Sequence, residues 1–155
     1  MISQLAKSLA ARLSAATYTT DYPTISVQQA YLPQYDLEQM TTLKVSVVPR
    51  EVSVAMTGRG AEQHDYTLAI VIAKRTDGST AQVDALLSLV EKITDLLRSD
   101  AMPQVSSAPW PSQCHWWAVS LDPVWSQDHL EERRVFFTAI NVQYRAILLH
   151  EAPQT

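Results

Sequence analysis

The spacing of apolar residues changes period several times along the chain, and each change marks an element. In ISQLAKSLAARLSAA, Ile2, Leu5, Leu9, Leu13 and Ala16 recur three or four residues apart, which predicts a helix over about residues 2–16 with one narrow apolar face. Ser3 is a candidate cap, and the helix ends before Pro23, which disfavours helical geometry at Tyr22. Ile25, Val27 and Tyr31 predict a first strand closed off by Pro33. Residues 33–42 show no clear period and read as a loop with room for a short helical turn. In LKVSVVPREVSVAM, Leu43, Val45 and Val47 alternate on odd positions, whereas Val52, Val54 and Met56 fall on even ones after Pro49. Proline has no N–H for a ladder, so the switch predicts a bulge or bend at Val48–Arg50, in one bent strand or between two short ones.

TGRGAEQHD, residues 57–65, is the main turn signal, with Gly58 and Gly60 supplying backbone freedom. It lacks the glycine and Gly-Lys-Ser/Thr spacing of a phosphate loop and no helix follows it, so it reads as a surface hairpin loop. From Tyr66 to Lys74 the chain is apolar on both faces, as befits a central strand covered on both sides. Ala81 to Arg98 is the clearest helix. Ser79 with Gln82 fits a capping box, Val83, Leu86, Leu87, Val90, Ile93 and Leu97 form the stripe, and Asp84 and Arg98 suit the helix dipole. Residues 100–126 are a proline- and tryptophan-rich excursion, with Pro103, Pro109 and Pro111 excluding a regular helix, before a short strand at Trp116 to Leu121.

The last segment, LEERRVFFTAINVQYRAILL, is mostly apolar at even positions from Phe136 on. Phe136, Ile140, Val142, Tyr144, Ala146 and Leu148 lie on one face, and Asn141, Gln143 and Arg145 lie on the other. Residues 135–148 would extend roughly 46 Å at ~3.3 Å per residue. Strands usually run about five or six residues, so this one serves several neighbours or projects beyond its own domain. Its polar face is either wet or filled by another subunit.

Composition narrows the function classes. The 155 residues are 46% hydrophobic and 18% charged, which fits one folded domain, residues 1–155. No apolar run approaches the ~20 residues of a membrane span, and Lys7 and Arg12 interrupt the place where a signal peptide would be apolar. The single cysteine excludes an internal disulfide and a cysteine-based zinc cluster. Residues 76–155 hold five basic and ten acidic side chains, so the surface is a poor sequence-independent nucleic-acid binder. Acidic walls suit a passage through which DNA slides without sticking.

The search for chemistry finds little. Cys114 beside His115 and His64 beside Asp65 are pairs by adjacency only, and neighbours on a strand point to opposite faces. The four histidines give no metal-binding spacing. Neither catalysis nor a metal or other cofactor is expected. Glu131 and Glu132 before Arg133 and Arg134 read as a solvated, self-neutralising patch. The tryptophans Trp110, Trp116, Trp117 and Trp125 leave core filling, a subunit interface and a ligand platform open.

Taken in order, the amphipathic N-terminal helix, the strands around LKVSVVPRE, the GRGAEQ hairpin, the strand HDYTLAIVIAKR, the helix VDALLSLVEKITDLLR, the aromatic section and the strand RRVFFTAINVQYRA resemble the small tail-terminator or tail-completion proteins of long-tailed bacteriophages. The resemblance covers about residues 1–148. It implies an α+β domain with a mixed, mostly antiparallel sheet flanked by the N-terminal and central helices. It further implies a ring, typically a hexamer, at the head–tail junction of the virion, made in the host cytoplasm and not in a membrane. Its partners would be further copies of itself, the tail tube protein and the head connector or stopper, with DNA passing through the lumen without specific binding. Arg59, Glu62, Trp110, Trp117, Trp125, Arg133 and Arg134 are the candidate subunit or partner contacts. A connector or stopper, or a small ligand-binding module, is the alternative.

Overall fold

Helix α1 spans Ile2–Ala15 and helix α2 spans Thr80–Leu97; the strands are β1 (Val27–Gln29), β2 (Lys44–Gly58), β3 (Ala61–Arg75), β4 (His115–Ser120) and β5 (Val135–Leu149). The computed structural model describes residues 1–31, 39–98, 102–121, 131 and 134–149. Trp125 and Arg133 lie outside the described residues. The strands form one sheet in the order β1-β2-β3-β5-β4, with β1 parallel to β2 and every other pair antiparallel. The mixed, mostly antiparallel α+β architecture expected from the sequence is therefore the one observed.

Both helices pack on the same face of this sheet. Leu5, Leu9 and Leu13 of α1 and Leu86, Leu89, Val90, Ile93 and Leu97 of α2 share one buried cluster with Val45, Val47, Leu68, Ile70, Ile72, Phe136, Ile140 and Val142. α1 lies against β1 and β2, and α2 against β5 and β4. On the other face a smaller cluster of Val48, Ala69 and Val71 meets Phe137 and Ala139. β3, with β2 on one side and β5 on the other, is buried on both faces from Leu68 to Ala73, so the central strand lies where its two-sided apolarity put it.

Several expectations change in detail. Met1, not Ser3, precedes α1, and no side chain caps it; Ser3 lies inside the first turn, its hydroxyl 3.4 Å from that of Tyr31. The first strand has only three residues, and Tyr31 is exposed beyond it. A 3-10 turn occupies Gln39–Thr41. The hairpin loop is far shorter than residues 57–65: Gly58 pairs with Ala61 around Arg59 and Gly60, Gly60 has φ 73°, and Ala61 to Asp65 already belong to β3. The bend at Pro49 is present, as a register shift between Pro49 and Glu51 within a single continuous β2.

At α2, Ser79 accepts the Gln82 N–H, but the reciprocal half of the capping box is missing. The Gln82 carboxamide oxygen instead accepts from the Thr76 hydroxyl and the Asp77 N–H, tying the β3–α2 connection. No acid occupies the first turn and no base the last; Asp84 is one turn too late and Arg98 is the C-cap, so neither sits where the dipole acts most strongly. Leu89 is fully buried although the predicted stripe omitted it, and Val83 and Leu87 are only half-buried, so the stripe is rotated.

Candidate assembly surface

The three long strands do not end where the helices end. β2 is buried from Val45 to Val48 and exposed at every residue from Arg50 to Gly58. β3 and β5 accompany it, with Ala61 to Asp65 paired to Arg145–Leu149. The result is a three-stranded arm in which β2 is exposed throughout and Ala61 to Asp65 of β3 are half-buried, while Ala146 and Leu148 of β5 still pack against the core. It carries large apolar side chains in water on both faces: Val52 (45% exposed), Val54 (54%) and Met56 (73%) on one, Ile147 (57%) and Leu149 (81%) on the other.

The outer edge of this arm has no strand beside it. β1 pairs with β2 only at Val45–Val47, so from Pro49 onward the backbone groups on that side of β2 meet no strand among the described residues. Edge strands are usually protected by brevity, proline or charge. Here Pro49, Arg50 and Glu51 guard the base of the arm, whereas Val52 to Gly58 contains neither a charge nor a proline. Such an edge is open to pairing with another chain.

What keeps the arm in shape is a set of polar contacts on its own faces. Arg145 Nε donates to Asp65 Oδ1 at 2.8 Å and Arg145 Nη2 donates to Asp65 Oδ2 at 3.3 Å, a two-pronged pair across β3 and β5. Gln63 Nε2 donates to the same carboxylate at 3.1 Å. The Arg145 guanidinium, with help from Gln63, holds the Asp65 carboxyl below its ordinary value. Trp117 lies on the other side of the guanidinium, its ring centre 3.6 Å from Arg145 Cζ, a cation–π stack that shields the ion pair. It reaches there because β4 bulges between Trp116 and Ala118. On the opposite face His64 Nε2 lies 3.0 Å from Glu62 Oε2, and the Tyr66 hydroxyl lies 3.3 Å from His64 Nδ1. A ring with its proton on Nε2 donates to Glu62 and accepts from Tyr66.

The sequence-predicted contact residues therefore divide. Arg59 is exposed at the arm's turn, Glu62 stands beside it on β3, and Trp117 is 55% exposed against Arg145; these three share the arm or its base. The sequence paired His64 with Asp65 only by adjacency, and the strand sends them to opposite faces and different partners.

Trp110 and Arg134 lie elsewhere. Trp110 packs edge-on against Tyr144 at 5.0 Å and donates its N–H to the Cys114 carbonyl, and Arg12 lies 4.5 Å over its ring. With Ser8 donating to the Pro109 carbonyl at 2.9 Å, this fastens the proline-rich excursion to α1 and the core. Arg134 is exposed, has φ 54°, and accepts the Thr76 N–H through its carbonyl at 2.8 Å, so part of its role is local.

The residues that sequence reading missed are Asp65 and Arg145 as a pair, 80 positions apart, and Ile147 and Leu149 as exposed apolar groups. Burial raises the Cys114 thiol above its ordinary value, while His115 next to it is exposed. Among the described residues no group of three or more His, Cys, Asp or Glu side chains is placed to hold a metal, and no helix is long and apolar enough to cross a membrane. No protein-family model and no curated protein matches the chain.

Proposed function

We propose that this chain is a structural bacteriophage protein. It assembles as a ring, most simply a hexamer, on the head-proximal end of the tail tube, ends polymerisation of the tube and joins the tail to the head connector. The observation that carries the reading is the arm: a three-stranded extension with exposed apolar side chains on both faces and an uncharged edge that meets no strand among the described residues. A chain that folds alone gains nothing from Val54, Met56, Ile147 and Leu149 in water, whereas a chain built to meet its neighbours buries them on assembly. The order of elements supports the phage assignment, since the helix, long hairpin, helix, aromatic section and final strand follow the pattern of tail-terminator proteins.

Light scattering and negative-stain imaging of the purified protein, alone and with tail tube protein, test this. Rings with a pore of DNA width that cap tube ends are expected. A monomer at every concentration, with and without tubes, overturns the reading. Rings that bind filled heads and ignore tubes would make the protein a connector or stopper instead.

A further inference from the structure

At the corner of the molecule diagonally opposite the arm lies a groove of about 630 Å³ between α2 and the end of β4. Leu87, Val90 and Leu121 form its apolar part, and Glu91 and Asp95 supply negative charge. Asp95 is engaged by Arg98 one turn later, whereas Glu91 is exposed and forms no ion pair among the described residues. The arm offers the complement. Val54 and Met56 line one of its faces, and Arg59 at its turn is an exposed cation with no acidic partner among the described residues.

The arm of a chain cannot reach the groove of the same chain. The arm's tip is level with Leu149, through the row Gly58–Ala61–Leu149, while Leu121 follows Ser120, which faces Asn141. The distance from Asn141 to Leu149 along β5 is about 26 Å at ~3.3 Å per residue. β2 and β4 are also separated by β3 and β5 across the sheet. An arm on one corner and its receptor on the opposite corner make a heterologous contact, the kind that propagates head-to-tail and closes into a ring when the rotation allows.

We propose that the arm of one copy seats in the α2–β4 groove of the next, with Met56 against Leu87, Val90 and Leu121, and Arg59 facing Glu91. This rests on the self-assembly reading above and names its receiving site.

Charge exchange tests it. Arg59→Glu and Glu91→Arg should each weaken self-association by about tenfold in sedimentation measurements, and the double exchange should restore it to within about threefold of the parent. Both side chains are exposed, so folding is preserved, and circular dichroism checks this. Separately, a chain carrying Met56→Cys and Leu121→Cys should oxidise to a ladder of covalent multimers, while each single variant should not; the native Cys114 is buried and stays in place. Rings that form with neither recovery nor ladder overturn the groove contact and leave the ring reading standing. A protein that stays monomeric throughout overturns both.

Discussion

The same three strands lead two different lives at their two ends. At the helical end, Val45, Val47, Ile70, Ile72, Phe136 and Ile140 are sealed beneath α1 and α2. At the other end the backbone ladder continues, with register shifts at Pro49/Glu51 and Met56/Gly58, to Gly58, Ala61 and Leu149, yet Arg50 to Gly58 of β2 stay exposed while Tyr144, Ala146 and Leu148 of the neighbouring β5 still pack against the core. Hydrogen bonding is therefore not what separates them. The difference is desolvation: one half gains about 25 cal/mol for each Å² of apolar surface it removes from water, and the other half leaves that gain unrealised. Three strands without a cover are marginal by themselves, so the arm relies on continuity with the core and on the Asp65–Arg145–Trp117 stack. A folded core with an under-covered extension is what the proposed self-assembly would complete.

Substitutions in the two halves should separate accordingly. Phe136 is fully buried, and Phe136→Ala should cost about 3–5 kcal/mol in denaturant unfolding; Phe136→Asp should leave no folded protein. Ser79→Ala removes the hydroxyl that accepts the Gln82 N–H and should cost about 1 kcal/mol, with α2 still formed.

Asp65→Asn should cost less, up to about 1 kcal/mol, because the pair is partly solvated. Its signature is in pH. The folded carboxyl titrates below its unfolded value of about 3.9, so its contribution is complete above that value and is lost as pH falls through the lower, folded one. The parent should therefore lose stability more steeply than Asp65→Asn below about pH 3.9. Smallest of all for the monomer, Val54→Ser with Met56→Ser should stay within about 0.5 kcal/mol of the parent in urea titrations, while self-association falls sharply. Equal losses of stability from Phe136→Ala and from the Val54/Met56 pair would erase the distinction between core and arm.

Much of the core was legible in the sequence because burial on one face leaves a period. β5 announced itself by its mostly apolar even positions, α2 by its leucine and valine stripe, and the bend in β2 by the parity change at Pro49. Within the arm, only Ala61 to Asp65 was misread. Ala61 to Asp65, AEQHD, shows no apolar alternation because its half-buried faces are filled by polar side chains that bond to one another, and a polar strand next to two glycines looks like a loop. The pairing to Arg145–Leu149 on one side and to Ser53–Gly58 on the other reveals it as strand. The four tryptophans carried no signal that could divide them, and it is the bulge in β4 and the contact with Tyr144 that place Trp117 outside and Trp110 against the core. The Asp65–Arg145 pair depends on the β3–β5 register, which no local pattern encodes.

The central claim is that the arm is a surface awaiting a neighbour. Hydrogen exchange of residues 51–58, followed by mass spectrometry at concentrations below and above assembly, tests it most directly. The outward N–H groups of β2 should exchange quickly in the dilute protein, while the paired amides of Leu68 to Ala73 stay protected, and the arm should slow by orders of magnitude in the assembled form. An arm that exchanges at the same rate in both states, or that is already as protected as the core when dilute, would contradict the claim.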